Sequence, residues 1–125
     1  MKKRILLVDD EAPMTRMMRR NLEATGRFEV LDVNDSTTAL QTARQFRPDL
    51  VFLDVMMPGV DGGDVAAAFA DDPSLAQVPI IFLTAIVSKS EVKPTGSKIG
   101  KHLFLAKPVK LEDLLACIET HLGKG

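Results

Sequence analysis

Cysteine is almost missing from this chain. Cys117 is the only one in 125 residues, which excludes an intrachain disulfide and a metal cluster built on cysteines. The two histidines, His102 and His121, show no metal-ligand spacing. Long apolar runs are missing too. The basic residues 1–4 are followed by an apolar run of only residues 5–8, too short for a signal-peptide core, and acids follow at once. No stretch approaches the roughly 20 residues of a membrane span. An excess of one charge is also absent. Sixteen Lys and Arg against 17 Asp and Glu give a net charge of -1, so the whole molecule has no general attraction to nucleic acid or anionic membrane. There is no repeat, linker or low-complexity segment. What is there is ordinary for a globular protein, 46% apolar and 26% charged. The length suits one domain, residues 1–125, with a real core. A cytoplasmic location is the expectation.

Three apolar runs are continuous rather than alternating: residues 5–8, 50–53 and 80–83. Such runs, rich in Val, Ile and Phe, suit strands buried on both faces of a parallel sheet. Residues 28–33 and 103–106 are weaker strand candidates. Helical patterns lie between. Met14, Met17, Met18 and Leu22 have helical spacing and read as core, with Pro13 in the first turn and Gly26 as the stop. Ser36 is placed to cap a helix bearing Ala39, Leu40, Ala43 and Phe46, which Pro48 ends. Residues 65–70 are rich in helix formers, and Asp71, Asp72 and Pro73 close them. Asp61-Gly62 reads as an ordinary turn. Leu111, Leu114, Leu115, Ile118 and Leu122 form the clearest stripe, with Cys117 beside it. Residues 86–100 are the poorest helix candidate, because Pro94 and Gly96 interrupt them. Strand and helix thus alternate five times, which predicts an α/β fold, a doubly wound (βα)5 five-stranded parallel sheet.

In such sheets the ligand crevice lies beyond the carboxyl ends of the strands. There the chain places Asp9, Asp10 and Glu11, then Asp54, then Thr84 with Ala85, then Lys107 with Pro108. Two carboxylates about 4 Å apart repel by roughly 4 kcal/mol at an effective dielectric near 20, so this rim needs a cation or protons. Oxygen-only ligands favour a hard cation such as Mg²⁺. Lys107 offsets part of the charge and suits an incoming anion, and Thr84 offers one hydrogen bond. These parts suit phosphoryl transfer, with an aspartate as nucleophile. Asp54 stands alone at the end of the central run and is the better acceptor, with Asp10 and Asp54 sharing the ion.

Taken together, Asp9-Asp10 after ILLV, FLDVMMPGVDG over residues 52–62, Thr84-Ala85 after IIFL, and Lys107-Pro108 after FLA resemble the CheY-like receiver domain of two-component response regulators. The resemblance covers essentially the whole chain. It implies a flavodoxin-like fold with strand order 2-1-3-4-5. It implies that Asp54 accepts a phosphoryl group from a sensor histidine kinase or a histidine phosphotransfer protein. Mg²⁺ would be held by Asp10, Asp54 and the backbone carbonyl of Met56, with Asp9 acting through water. Lys107 would hold a phosphoryl oxygen and precede a cis bond to Pro108. Thr84 would move toward the phosphoryl group, and Phe104 would turn inward with it as the switch.

The same resemblance implies a signalling module rather than a conventional enzyme, one that assists its own phosphorylation and dephosphorylation. Its downstream partner would be a protein on the last two helices and the fifth strand, with no direct nucleic acid and no membrane insertion. Met56, Ala85, Ile86 and Pro108 should border the phosphoryl group. Met56 and Ile86 are bulky and apolar, so they are expected to hinder the attacking water. Pro94 and Gly96 fall where the family has a regular fourth helix. Lys89, Lys93, Lys98, Lys101, Lys107 and Lys110 suggest a basic face for an acidic partner. Two other functions compete. An aspartate-nucleophile phosphatase pairs its nucleophile with a second Asp two positions later, where Met56 stands. A receiver-like binding module that is never phosphorylated would lose some of Asp9, Asp10, Asp54, Thr84 and Lys107, all of which are intact. The last stripe runs straight to residue 125, as in a stand-alone receiver or a piece of a longer chain.

Overall fold

The apolar runs form the strands. In the computed structural model, which describes residues 2–55, 62–84, 97–99, 102–107 and 109–123 but not the side chains of 97–99, 102 and 103, these are β1 (Lys3–Val8), β2 (Phe28–Val33), β3 (Leu50–Asp54), β4 (Ile80–Thr84), β5 (Ser97–Ile99) and β6 (His102–Ala106). The sheet order is β2-β1-β3-β4-β6-β5. All pairings except β5 with β6 are parallel. Counting parallel strands alone, the order is the expected 2-1-3-4-5.

The added edge strand departs from strict alternation. The end of the weak helix candidate, residues 97–99, is a strand running antiparallel to β6, with Lys98 opposite Leu103. Only residues 100 and 101 separate the two strands. That is the length of a hairpin link, far too short for a parallel crossover. The rest of that candidate, with Pro94 and Gly96, lies outside the described residues.

Helices α1 (Ala12–Ala24), α2 (Ala39–Phe46), α3 (Gly62–Asp71) and α4 (Leu111–Leu122) cover the sheet. Successive strand residues point to opposite faces, and both faces are buried. Ile5, Leu7 and Phe52 pack with Met18 and Leu22 of α1 and Leu114 and Ile118 of α4. Leu6, Val8, Val51 and Leu53 pack on the other face with Ala39 and Ala43 of α2 and Val65 and Phe69 of α3. This is why the strands read as unbroken apolar runs. Each large aliphatic side chain so buried contributes about 1.5–3 kcal/mol.

Three local readings need correction. Asp35, not Ser36, caps the turn before α2: its carboxylate accepts the Thr37 N–H at 3.0 Å, ahead of a short 3-10 turn at Ser36–Thr38. Met17 is not core. The buried stripe of α1 runs through Thr15, Met18 and Leu22, and Met17 is 55% exposed. Gly62 is not a turn residue but the first residue of α3. A Cβ there would lie 2.2 Å from the backbone oxygen of Asp54 and 2.9 Å from the Val55 Cα. Only glycine lets the helix start so close to the end of β3.

That approach is testable. Gly62→Ala should lower unfolding stability by about 1–3 kcal/mol, the usual range for overpacking, measured by urea denaturation followed by circular dichroism. Unchanged stability would mean that the helix start is free to shift.

Candidate functional site

The strand ends converge as the sheet order requires. Asp54 and Thr84 are the last residues of β3 and β4, Asp9 follows β1, and Lys107 follows β6. The register aligns them: Val8 pairs with Leu53, Asp54 with Leu83, and Thr84 with Ala106. Backbone bonds extend the ladder past the strands, from Asp9 N–H to the Val33 carbonyl and from Lys107 N–H to the Thr84 carbonyl. Asp9, Asp54 and Thr84 are buried, while Asp10 is exposed.

Lys107 ties the rim together. Its Nζ lies 2.7 Å from Asp9 Oδ2, 2.9 Å from Glu11 Oε1 and 3.2 Å from Asp54 Oδ1. The Glu11 contact is a hydrogen bond. Asp9 Oδ2 is buried with no aligned donor, so its contact with Nζ is a charge pair rather than a directed bond. The other oxygen, Asp9 Oδ1, accepts the Glu11 N–H at 3.0 Å. Asn34, just past β2, donates to the Asp9 carbonyl at 2.8 Å and to the buried Thr15 hydroxyl at 2.9 Å.

Comparison with known proteins then decides the family. Residues 5–119 match the model of the response regulator receiver domain. The chain belongs to that family. It is 38% identical over 125 residues to the DNA-binding response regulator MtrA of Mycolicibacterium paratuberculosis, covering all of this chain and 53% of that protein. It is 38% identical over 109 residues to the response regulator PleD of Caulobacter vibrioides, 87% of this chain and 24% of that one. The chain thus spans about half or less of the length of these curated relatives. Among solved structures, the chemotaxis protein CheY4 of Vibrio cholerae superposes with a TM-score of 0.82 at 30% identity, covering 98% of this chain and all of the other.

Receiver domains bind Mg²⁺ at an acidic pocket, and the residues here fit one. One carboxylate oxygen each from Asp9, Asp10 and Asp54 lies within 4.8 Å of the others. The donors are all hard oxygens. Asp9 Oδ2 is buried without an aligned donor, and no described residue bonds to the Asp10 carboxylate. Burial pushes the Asp9 carboxyl up to about 6, with the Asp54 charge adding to the rise and Lys107 and the Glu11 N–H opposing it. Burial alone would lower the Lys107 pKa. Its contacts with Asp9 and Glu11 and the charge of Asp54 outweigh that and hold it above the ordinary lysine value.

Other expected residues divide between present and undescribed. Phe104 is half-buried, its ring stacked on Phe82 with centroids 5.3 Å apart. Met56, Ala85, Ile86 and Pro108 lie outside the described residues, as do Lys89, Lys93, Lys101 and the side chains of Lys98 and His102. Lys107 leaves the supposed basic face, because it is drawn into the rim. Cys117 is fully buried, and burial pushes its thiol up to about 12, consistent with an inert core role. The sequence places Glu11 at the rim as the third acid after β1 but gives it no role, and it gives no sign of Asn34.

The Asp9 shift has a sign that can be measured. A carboxyl whose pKa rises on folding, here from 3.8 to about 6, binds its proton more tightly in the native state. Its contribution is therefore fully present below about pH 4 and lost as pH rises to about 6. Without metal this loss is about 3 kcal/mol. In EDTA, Asp9→Asn should remove that part of the pH dependence, read as the difference in urea-unfolding free energy between variant and parent from pH 4 to 7. A pH-independent difference would contradict the assignment.

Proposed function

We propose that Asp54 is the phosphoacceptor of this receiver domain, charged by the phosphohistidine of a sensor kinase or phosphotransfer protein. The observation that best supports this is the convergence of Asp9, Asp54 and Lys107, with Asp54 Oδ1 3.2 Å from the ammonium. In the transfer, the donor P–N bond breaks as an Asp54 oxygen–phosphorus bond forms, and the imidazole nitrogen keeps the electron pair. Asp10, Asp54 and the Met56 carbonyl are assigned to Mg²⁺, with Asp9 acting through water; the Met56 assignment rests on family resemblance alone. When bound, the ion supplies neutralisation of charge on the transferring oxygens. Lys107 pairs with one phosphoryl oxygen and Thr84 donates to another.

The output follows from that bonding. Thr84 moving toward the phosphoryl group draws Phe104 inward, which rearranges its stack on Phe82. Such a stack is worth about 0.5–1.5 kcal/mol, small beside the roughly 5.5 kcal/mol that moves a population from 1:99 to 99:1. Partners are assigned to α4, β6 and the segment before β5. The domain is not a conventional enzyme in this reading, although it assists its own phosphorylation and dephosphorylation. A cytoplasmic setting without membrane insertion is proposed, and no described helix is long and apolar enough to cross a membrane. Direct nucleic-acid binding is not assigned to these residues.

Incubation with Mg²⁺ and acetyl phosphate, followed by intact mass measurement, should show one added phosphoryl group that Asp54→Asn abolishes. No adduct would sink the proposal, and rapid turnover of phosphate esters would instead indicate a phosphatase. Met56→Asn and Ile86→Ala should each hydrolyse the adduct several-fold faster than the parent. Equal or slower loss would show that these side chains do not shield it.

A further inference from the structure

We propose that Glu11 is a resident stand-in for the phosphoryl group: it occupies the Lys107 proton that a phosphoryl oxygen takes, and it must be displaced for the phosphorylated state to form. The inference rests on the phosphoacceptor reading and adds a residue that sets how readily the site is charged. An ammonium has three protons to offer. Among the described residues, Nζ of Lys107 faces three carboxylates at 2.7, 2.9 and 3.2 Å, those of Asp9, Glu11 and Asp54. An incoming phosphoryl oxygen therefore meets an ammonium already ringed by three carboxylates, one of which, Glu11, takes a hydrogen bond from it. One partner has to leave.

Burial decides which. The Asp9 side chain is 0% exposed, and parting it from Lys107 would strand a carboxylate away from water. Asp54 is only 7% exposed on its side chain, and it carries the phosphoryl group itself. The Glu11 side chain is 58% exposed. Released, it is hydrated at once, and exposed pairs of this kind are weak. The alternative use of Glu11 is also missing. It sits at the N-cap of α1, yet its side chain makes no cap hydrogen bond. Its backbone N–H holds Asp9 Oδ1 instead, and its carboxylate reaches Lys107 across 96 positions of sequence. Among the described residues, its carboxylate thus bonds the cation that the phosphoryl group needs.

The measurement is a titration of the Mg²⁺-loaded protein with beryllofluoride, a phosphoryl mimic that seats on a carboxylate, followed by NMR. Glu11→Gln should bind the mimic about two- to fivefold more tightly than the parent, the full worth of an exposed ion pair. Unchanged or weaker binding would overturn the inference. A crystal structure of the parent complex should place Lys107 Nζ on the mimic with the Glu11 carboxylate out of hydrogen-bond range. A retained Glu11 contact would overturn it equally. A parent that takes no mimic overturns the phosphoacceptor reading and this inference together, whereas a parent that binds while Glu11→Gln gains nothing overturns the inference alone.

Discussion

One cation holds the working end of this fold. The Lys107 ammonium lies within 3.2 Å of three carboxylates that come from two other segments of the chain. Between β6, which Lys107 follows, and β1, which Asp9 and Glu11 follow, stand β4 and β3. Three steps of about 4.8 Å separate the first and last of these strands. A charge on a long flexible stem is suited to lie across the end of β4 and close that distance. Thr84 ends β4 with a small side chain, and its carbonyl accepts the Lys107 N–H at 2.9 Å. The strand beneath the lysine thus fixes where its side chain starts. Sheet order and charge arrangement are therefore one constraint, since another order would separate these groups.

The same arrangement leaves the site short of positive charge. One ammonium faces Asp9, Glu11 and Asp54, and Asp10 stands beside them. The protein absorbs the shortfall in two ways. Asp10 and Glu11 remain in water, where repulsion is screened. Asp9 is out of water, and that loss of hydration, with a smaller push from the Asp54 charge, makes its carboxyl hold a proton more readily than usual. A divalent cation relieves the shortfall directly. The local packing supports this strained group through the backbone: the Glu11 N–H, the Val33 carbonyl and the Asn34 amide all bond to Asp9. An acid held by main-chain contacts keeps its position whatever its charge state.

Much of this was legible in sequence because buried parallel strands and rim acids leave direct traces. Residues 50–53 were apolar without alternation, and the acid that ended them proved to be the last residue of β3, 5% exposed. Lys107 was placed at the rim for the same reason, but as a group awaiting an anion; its three existing partners needed coordinates. Gly62 shows a different limit. An Asp-Gly pair has the signature of a turn, whereas the real demand is a long-range clash with the Asp54 carbonyl, which local sequence does not encode. Met17 sits at helical spacing from its neighbours, yet the buried stripe passes through Thr15 instead, because the Thr15 hydroxyl is bonded to the Ala12 carbonyl and the Asp32 carboxylate. Polar groups with such partners can be buried, and a hydropathy pattern does not reveal partners. β5 was hidden because a three-residue strand earns its place only by pairing with β6.

Two of the groups that the proposed phosphoryl signal would rearrange, Glu11 and Phe104, are only partly held by the core. Glu11 is mostly in water. Phe104 is half-buried and leans on Phe82, beside an open groove of about 440 Å³ lined by Val55, Gly63, Ala66, Ala67 and Ala70 as well as the two rings. The alanines of α3 leave that space because they are short. For a switch at Phe104, the groove is room into which a ring can turn without unpacking Leu53, Val65 or Phe69 beneath it. Close-packed interiors resist gradual deformation, so a domain that must change state at modest driving energy does best to confine the change to contacts already shared with solvent. The Lys107–Glu11 pair and the Phe82–Phe104 stack both meet that condition, whereas the Lys107–Asp9 pair does not. It is the fixed point about which the other two can exchange.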